Sequence, residues 1–171
     1  MKCFCLLLIL IQGISSRTSA VAAQEVGRSA HRQPSEFRKL PPNLKSELER
    51  RGCTIPVYLP VSQNVVRGQF AKHGEFDWAV LCSKQDVTTL LVFWNGSPQN
   101  AAELLAIPNH NDVSEWYIRP VGKDFIEQHY RAYGGPKPPP IDHEGIESGG
   151  EHVSTVFYRY RGKWLHLQGA D

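Results

Sequence analysis

Trp78-Ala-Val-Leu-Cys82 and Leu90-Leu-Val-Phe-Trp94 decide the fold. A strand with one wet face alternates apolar and polar residues, but these two runs are apolar on both alternating sets of positions, so each must be covered on both faces. They lie within the predicted strands Phe76–Ser83 and Val87–Trp94, which only Lys84-Gln85-Asp86 separates. A hairpin at the centre of a sheet is the economical arrangement.

Upstream, Asn64–Phe70 reads as a further strand. Thr54–Val61 combines Ile55, Val57 and Tyr58 with two prolines, which suits an edge, because proline has no N–H for a ladder. Before it, Leu40, Leu44 and Leu48 recur every fourth residue, with Asn43 placed to cap and Gly52 to stop a short amphipathic helix. Glu47 and Glu49 precede Arg50 and Arg51, the order that suits a helix dipole. This helix is expected to cover one face of the central strands.

Downstream, Asn95-Gly-Ser-Pro98 ends the strand, Asn100–Leu105 is predicted as a helical turn, and Pro108–Asp112 as a polar loop. Glu115–Arg119 is a possible strand. Lys123–Tyr133 is helical, with Phe125, Ile126, His129 and Tyr130 along one side and Gly134-Gly135 as its stop. Pro136–Pro140 is a stiff connector, and Val153–Tyr160, Arg161-Gly162 and Lys163–Gln168 form a hairpin. The sum is an α+β fold: a mainly antiparallel sheet of five to seven strands with two or three short helices and one disulfide.

The chain opens with Lys2, the apolar run Cys3–Ile11 and then polar Ser15-Ser-Arg17. That is the profile of a secretory leader, and the run is about half the roughly 20 residues needed to span a bilayer. Val21 and Ala23 meet the small-residue rule for cleavage, as do Thr18 and Ala20 nearly as well; with the cut preferred after Ala23, residues 1–23 are expected to be a signal peptide, the alternative being a retained anchor. Gln24–Ser35 is polar and lacks an apolar period, so 24–35 is expected to be a flexible N-terminal segment and 36–171 a single domain.

Loss of the leader removes Lys2 and Arg17, which leaves as many basic as acidic side chains. A formally neutral chain argues against nucleic acid held by a general basic field, and no membrane span is expected after cleavage. Cys53 and Cys82 alone remain of the four cysteines, and in an oxidising periplasmic or extracellular setting they are expected to pair, rather than stay as two buried thiols. Such a bridge would remove about 3–4 kcal/mol of unfolded-state entropy and tie the end of the first helix to the central strand.

Gly68-Gln-Phe-Ala-Lys-His-Gly-Glu-Phe-Asp-Trp-Ala-Val-Leu81, with Val87–Gly96 after it, resembles a repeat of the FG-GAP or VCBS type, in which a glycine- and phenylalanine-rich loop leads into a strand hairpin. In that family the loop is a calcium site of alternating Asp and Asn. Gln69, Ala71 and His73 occupy those places here and only Asp77 fits, so the resemblance implies local shape without bound metal. Val87-Thr-Thr-Leu with Trp94-Asn-Gly96 echoes Val153-Ser-Thr-Val with Tyr160-Arg-Gly162 at equal spacing, which suggests two related hairpins. Gly52–Pro56, Asp77–Cys82, Tyr133–Pro136 and Gly162–Leu165 together resemble uncharacterised secreted bacterial proteins, a likeness that implies an address and no activity.

Six of the seven histidines, those beyond the N-terminal segment (His73, His110, His129, His143, His152 and His166), show no recognised metal spacing. The nearest constellation is His129, Asp142, His143, Glu144 and His152, a candidate zinc site of three protein ligands and a water; the competing explanation is dispersed surface histidines. Asp142, Glu144 and Glu147 around Gly145 form the better of two candidate calcium loops, still short of ligands. No cofactor is expected beyond these two metal alternatives. A Gly-x-Ser-x-Gly elbow and a phosphate loop are both lacking. Tyr158, Tyr160 and Trp164 on the last hairpin are candidates for a protein or glycan contact, or for core.

The reading is therefore an exported, non-catalytic binding or structural domain with a protein, glycan or surface as its unknown partner. The alternative is a small metal-dependent hydrolase using the His/Asp/Glu group.

Overall fold

In the computed structural model, which describes residues 29–58, 64–108, 116–150 and 153–170, the two apolar runs are neighbouring central strands. They are β4 (Asp77–Lys84) and β5 (Val87–Phe93), paired antiparallel with Trp78 opposite Phe93 and Lys84 opposite Val87. β3 (Val65–Gly68) flanks β4, and β6 (Ala102–Pro108) flanks β5, giving a four-stranded meander in the order β3-β4-β5-β6. A second antiparallel sheet of four strands, in the order β10-β9-β8-β7, is built from β7 (Tyr117–Val121), β8 (Gly145–Gly149), β9 (Ser154–Tyr160) and β10 (Lys163–Gln168). A separate two-stranded ribbon pairs β1 (Ser29–Arg32) with β2 (Ile55–Tyr58). The described residues thus hold ten strands in three sheets, where a single sheet of five to seven strands was expected.

The core explains why β4 and β5 are apolar on both sides. Ala79, Leu81, Leu90 and Val92 turn to the second sheet and pack with Ile118, Ile146 and Phe157. Val80, Cys82, Leu91 and Phe93 turn the other way, onto Leu44 and Leu48 of helix α1 (Pro42–Arg51). On the far face of the second sheet, Val121, Val156, Tyr158 and Leu167 pack with Ile126 of helix α2 (Lys123–Tyr133). The order is helix, sheet, sheet, helix, and each central strand is sealed from water on both faces.

Helix α1 begins with Pro42 in its first turn, where the missing N–H costs nothing. Gly52, at φ 76°, ends it, and the N–H groups of Gly52 and Cys53 donate to the carbonyls of Glu49 and Leu48 at 2.9 Å each. Asn43 does not cap this helix: its Nδ2 donates to the Gly96 carbonyl at 2.8 Å and fastens the helix to the end of β5. The Cys53–Cys82 disulfide closes directly after the glycine stop, with the two Cα atoms 5.1 Å apart and both cysteines buried.

Three segments depart from the sequence-based expectation, each for a physical reason. Ser29–Arg32, expected to belong to the flexible segment 24–35, instead pairs with Ile55–Tyr58 from Ser29 opposite Tyr58 to Arg32 opposite Ile55. Ala30, His31 and Arg32 of this strand are exposed, so no apolar alternation marks it. Ala102–Pro108, expected to begin as a helical turn, is β6: the register slips between Leu90 and Leu91, Leu104 becomes an extra residue, and Leu104 and Leu105 both reach the inter-sheet core. That bulge replaces the two-residue period with one that resembles a helix. The candidate cation loop Asp142–Glu147 runs from Gly145 onward into the fully buried strand β8, Gly145–Gly149. A Cβ on Gly145 would lie 2.8 Å from Val156 Cγ1, and one on Gly149 would lie 2.4 Å from Ser154 Cβ, so these glycines admit a neighbouring strand and make no turn.

The sequence echo survives as local backbone shape. Asn95 and Gly96 after β5 have φ of 48° and 65°, and Arg161 and Gly162 after β9 have φ of 49° and 79°. The second pair makes a two-residue hairpin turn, whereas the first leads out through Ser97 before β6 returns. Residues 1–28, on which the signal-peptide expectation rests, lie outside the described residues, as do His110 and His152.

Candidate ligand-binding groove

The carboxylates and histidines singled out as metal ligands hold the fold together where the structure describes them. Asp77 is fully buried, and its carboxylate accepts three backbone N–H groups: Phe70 at 3.2 Å, Ala71 at 2.8 Å and Asn95 at 2.8 Å. It ties the Gly68–Phe76 loop to the turn after β5. Glu144 Oε2 accepts the Gln69 N–H at 2.7 Å while the Glu144 N–H donates to the Gln69 carbonyl at 3.1 Å, stitching the two four-stranded sheets at this corner. Gly68 makes room for that stitch, since a Cβ there would stand 2.9 Å from Glu144 Oε2 and 2.5 Å from the Phe70 ring.

Asp142 and His143 are brought together, with Nε2 of His143 3.8 Å from Oδ1 of Asp142. His143 nevertheless directs its Nδ1 to the Glu144 carbonyl at 2.9 Å and its Nε2 to the Arg159 carbonyl at 2.8 Å, and its ring stacks on Tyr158 at 4.4 Å. Neither ring nitrogen points to open space. His129 turns back on its own helix, with Nδ1 2.8 Å from the Phe125 carbonyl. Among the described residues no three His, Cys, Asp or Glu side chains are gathered closely enough to hold a metal ion.

The three aromatic candidates do not share a face. Tyr158 is buried under α2, where burial raises its phenol above the usual value of 10; its hydroxyl donates to Asp142 Oδ1 at 3.0 Å. Tyr160 packs partly buried on that same side, and Trp164 lies between the sheets, stacked on Trp94 at 5.7 Å. Glu147 is buried in mid-strand with its carboxylate paired to Arg119 and accepting the Ser154 hydroxyl at 2.7 Å.

The feature that sequence reasoning missed is a groove of about 1010 Å³ between the β1–β2 ribbon, the Pro34–Pro41 segment and the edge strand β3. Its apolar wall is made by Phe37, Val57, Val65, Val66 and Trp78, with Pro120 of β7 at one side. Four cations also line it: Arg32, Arg38, Lys39 and Arg67. Glu36 is the one carboxylate among these lining residues, and its Oε1 is taken by the Gln33 N–H at 2.8 Å. None of the four cations forms an ion pair with a described residue, and Arg67 instead lies over the Phe76 ring at 4.0 Å.

A second hollow, of about 620 Å³, makes the contrast. It is also lined by arginine, but there Arg50 and Arg51 are held by Glu47 at 2.8 and 2.7 Å, and Arg51 also lies 3.7 Å from Glu103. Its positive charge is already answered within the protein. In the large groove it is not, so the groove carries a local positive potential in a chain expected to be neutral overall without its leader. A run-by-run charge count would have shown it: His31-Arg32 and Arg38-Lys39 stand close together in a stretch that reads only as polar.

No protein-family model, curated protein or solved structure matches the chain.

Proposed function

We propose that the chain is an exported, non-catalytic binding domain, and that its ligand is an anionic molecule seated in the groove between the β1–β2 ribbon and β3. The observation that carries this reading is the set of four cations, Arg32, Arg38, Lys39 and Arg67, around an apolar wall and without carboxylate partners among the described residues. A ligand site is a concave, mostly apolar surface with a few charged groups that fix orientation. A carboxylate brought within about 4 Å of one such cation gains roughly 4 kcal/mol of Coulomb energy at the effective dielectric of a protein surface, before desolvation is subtracted. Export is supported by the buried Cys53–Cys82 bridge, which persists in oxidising compartments, and by the leader-like first residues. Among the described residues no helix is long and apolar enough to cross a membrane.

Binding of fluorescently labelled oligoglutamate, followed by anisotropy at low and high salt, tests the reading. The wild-type chain is expected to bind and to weaken as salt rises. Arg38→Glu with Lys39→Glu, both at exposed positions, should lose at least tenfold in affinity with an unchanged melting temperature. Equal binding by the variant would remove the groove as the site.

A further inference from the structure

Resting on that reading of the groove, we infer that its ligand is an extended acidic peptide that adds as a strand to the outer edge of β3, beyond the corner held by Asn64 and without a ladder partner among the described residues. The ladder register supports this. Leu81 N–H donates to the Asn64 carbonyl at 3.0 Å, which makes Asn64 and Leu81 a hydrogen-bonded pair of the antiparallel ladder. With Val65 opposite Val80 and Gly68 opposite Asp77, the alternation turns Val66 and Gly68 towards β4 and sends the N–H and C=O of Val65 and Arg67 outward. The same parity holds along β4, where Ser83 exchanges two backbone bonds with Thr54 on that edge, at 2.9 and 2.7 Å.

The outward groups of Val65 and Arg67 have no protein partner among the described residues. Unpaired strand edges are templates for another chain, and proteins normally blunt them. Here the edge lines the groove that carries the four cations, so pairing and charge select together: the backbone fixes an extended ligand, and alternate acidic side chains meet Arg32, Arg38, Lys39 and Arg67. Pro120 stands across the groove on β7, at a position without an N–H to compete for the same ligand. Four residues of β3 extend roughly 13 Å, which fits a ligand segment of about four to six residues.

Titration calorimetry on the full mature chain tests this with acetyl-(Glu-Val)3-amide and two analogues, one N-methylated at every Glu and one at every Val. Each analogue removes the donors of one strand edge and leaves the protein untouched. The expected result is binding of the parent peptide, a loss of at least tenfold for one analogue, and little change for the other. Equal affinity of all three peptides would overturn strand addition while leaving a cationic groove that binds anions. Binding of polygalacturonate without the peptides would overturn the peptide and keep the groove. Absence of binding by any of these ligands would overturn both readings.

Discussion

Asn64 and Ile118 are joined by a hydrogen bond in which a side-chain amide takes the place of a strand. Asn64 Oδ1 accepts the Ile118 N–H at 3.1 Å, while its Nδ2 donates to the Trp116 carbonyl at 2.8 Å and the Pro56 carbonyl at 2.9 Å. The Asn64 carbonyl meanwhile accepts the Leu81 N–H. One buried residue thus serves β2, β4 and β7, closing the corner where the edge strands of the two four-stranded sheets come together. Its φ of 50° lies in the left-handed region, which asparagine tolerates better than most residues.

Replacement of Asn64 by Ala should therefore cost about 2–3 kcal/mol, because it strands buried backbone groups on Pro56, Trp116 and Ile118. Asn64→Gly keeps the backbone freedom and still loses the amide, so it should rescue little. Urea denaturation measures both; a change within about 0.5 kcal/mol, the range of ordinary surface substitutions, would show that the corner closes without this side chain.

The disulfide joins the end of α1 to the central strand across 29 residues of sequence. Replacing both cysteines by Ala should lower unfolding free energy by about 3–4 kcal/mol in the chain-entropy account. The same loss should appear in wild type unfolded with a reductant present. Identical denaturation midpoints with and without reductant would contradict the assignment of that stability to the bridge.

Arg119 and Glu147 make an unequal pair: the guanidinium is half exposed and the carboxylate is fully buried. The bond to Glu147 raises the Arg119 pKa above its already high usual value, and burial, followed by the Glu147 charge, raises that of Tyr117. Arg119→Ala leaves a buried charge without its cation and should cost about 3 kcal/mol. Glu147→Gln leaves a half-exposed cation that water can solvate and keeps an acceptor for the Ser154 hydroxyl, so it should cost less. Thermal or urea denaturation of the two variants gives the order directly, and the reverse order would refute the argument.

The legible part of the fold was the part with a period. β4 and β5 announced themselves by apolar residues on both faces, α1 by Leu40, Leu44 and Leu48 with Gly52, α2 by its stripe, and the last hairpin by Arg161-Gly162. The bridge followed from counting cysteines. Strands whose residues answer to neighbours and carry no solvent-facing period stayed hidden: β8 carries glycines because β9 approaches closely, with a buried glutamate between them, and β6 hides its period in a bulge at Leu104. The groove was legible only in its charge. Arg32 and the adjacent Arg38 and Lys39 stand close in sequence, but Arg67 comes from β3, and only the return of β3 past the ribbon places all four around one hollow.

Glu47 gives a pH dependence with a definite sign. Hydrogen bonds from Arg50 and Arg51 hold its carboxyl down to about 2 from the usual 4.5. A depressed carboxyl favours the folded state above the unfolded value, so this contribution is complete above about pH 4.5 and is lost as pH falls towards about 2. Its partner Arg50 is largely exposed, so solvent screens the pair and the effect is small. Melting temperatures of wild type and Glu47→Gln measured between pH 6 and 2, an interval of order that brackets both values, should converge on acidification; a gap that widens would contradict the pairing.

The groove is tested most directly by recording amide and indole chemical shifts of the isotope-labelled mature chain while an acidic hexapeptide is titrated in. The account predicts changes confined to Arg32–Lys39, Val57, Val65–Arg67 and the Trp78 indole, with the amides of Val65 and Arg67 moving downfield as they acquire acceptors. Saturable changes gathered elsewhere, around Trp94 and Trp164 for example, with the β3 edge unmoved, would contradict it.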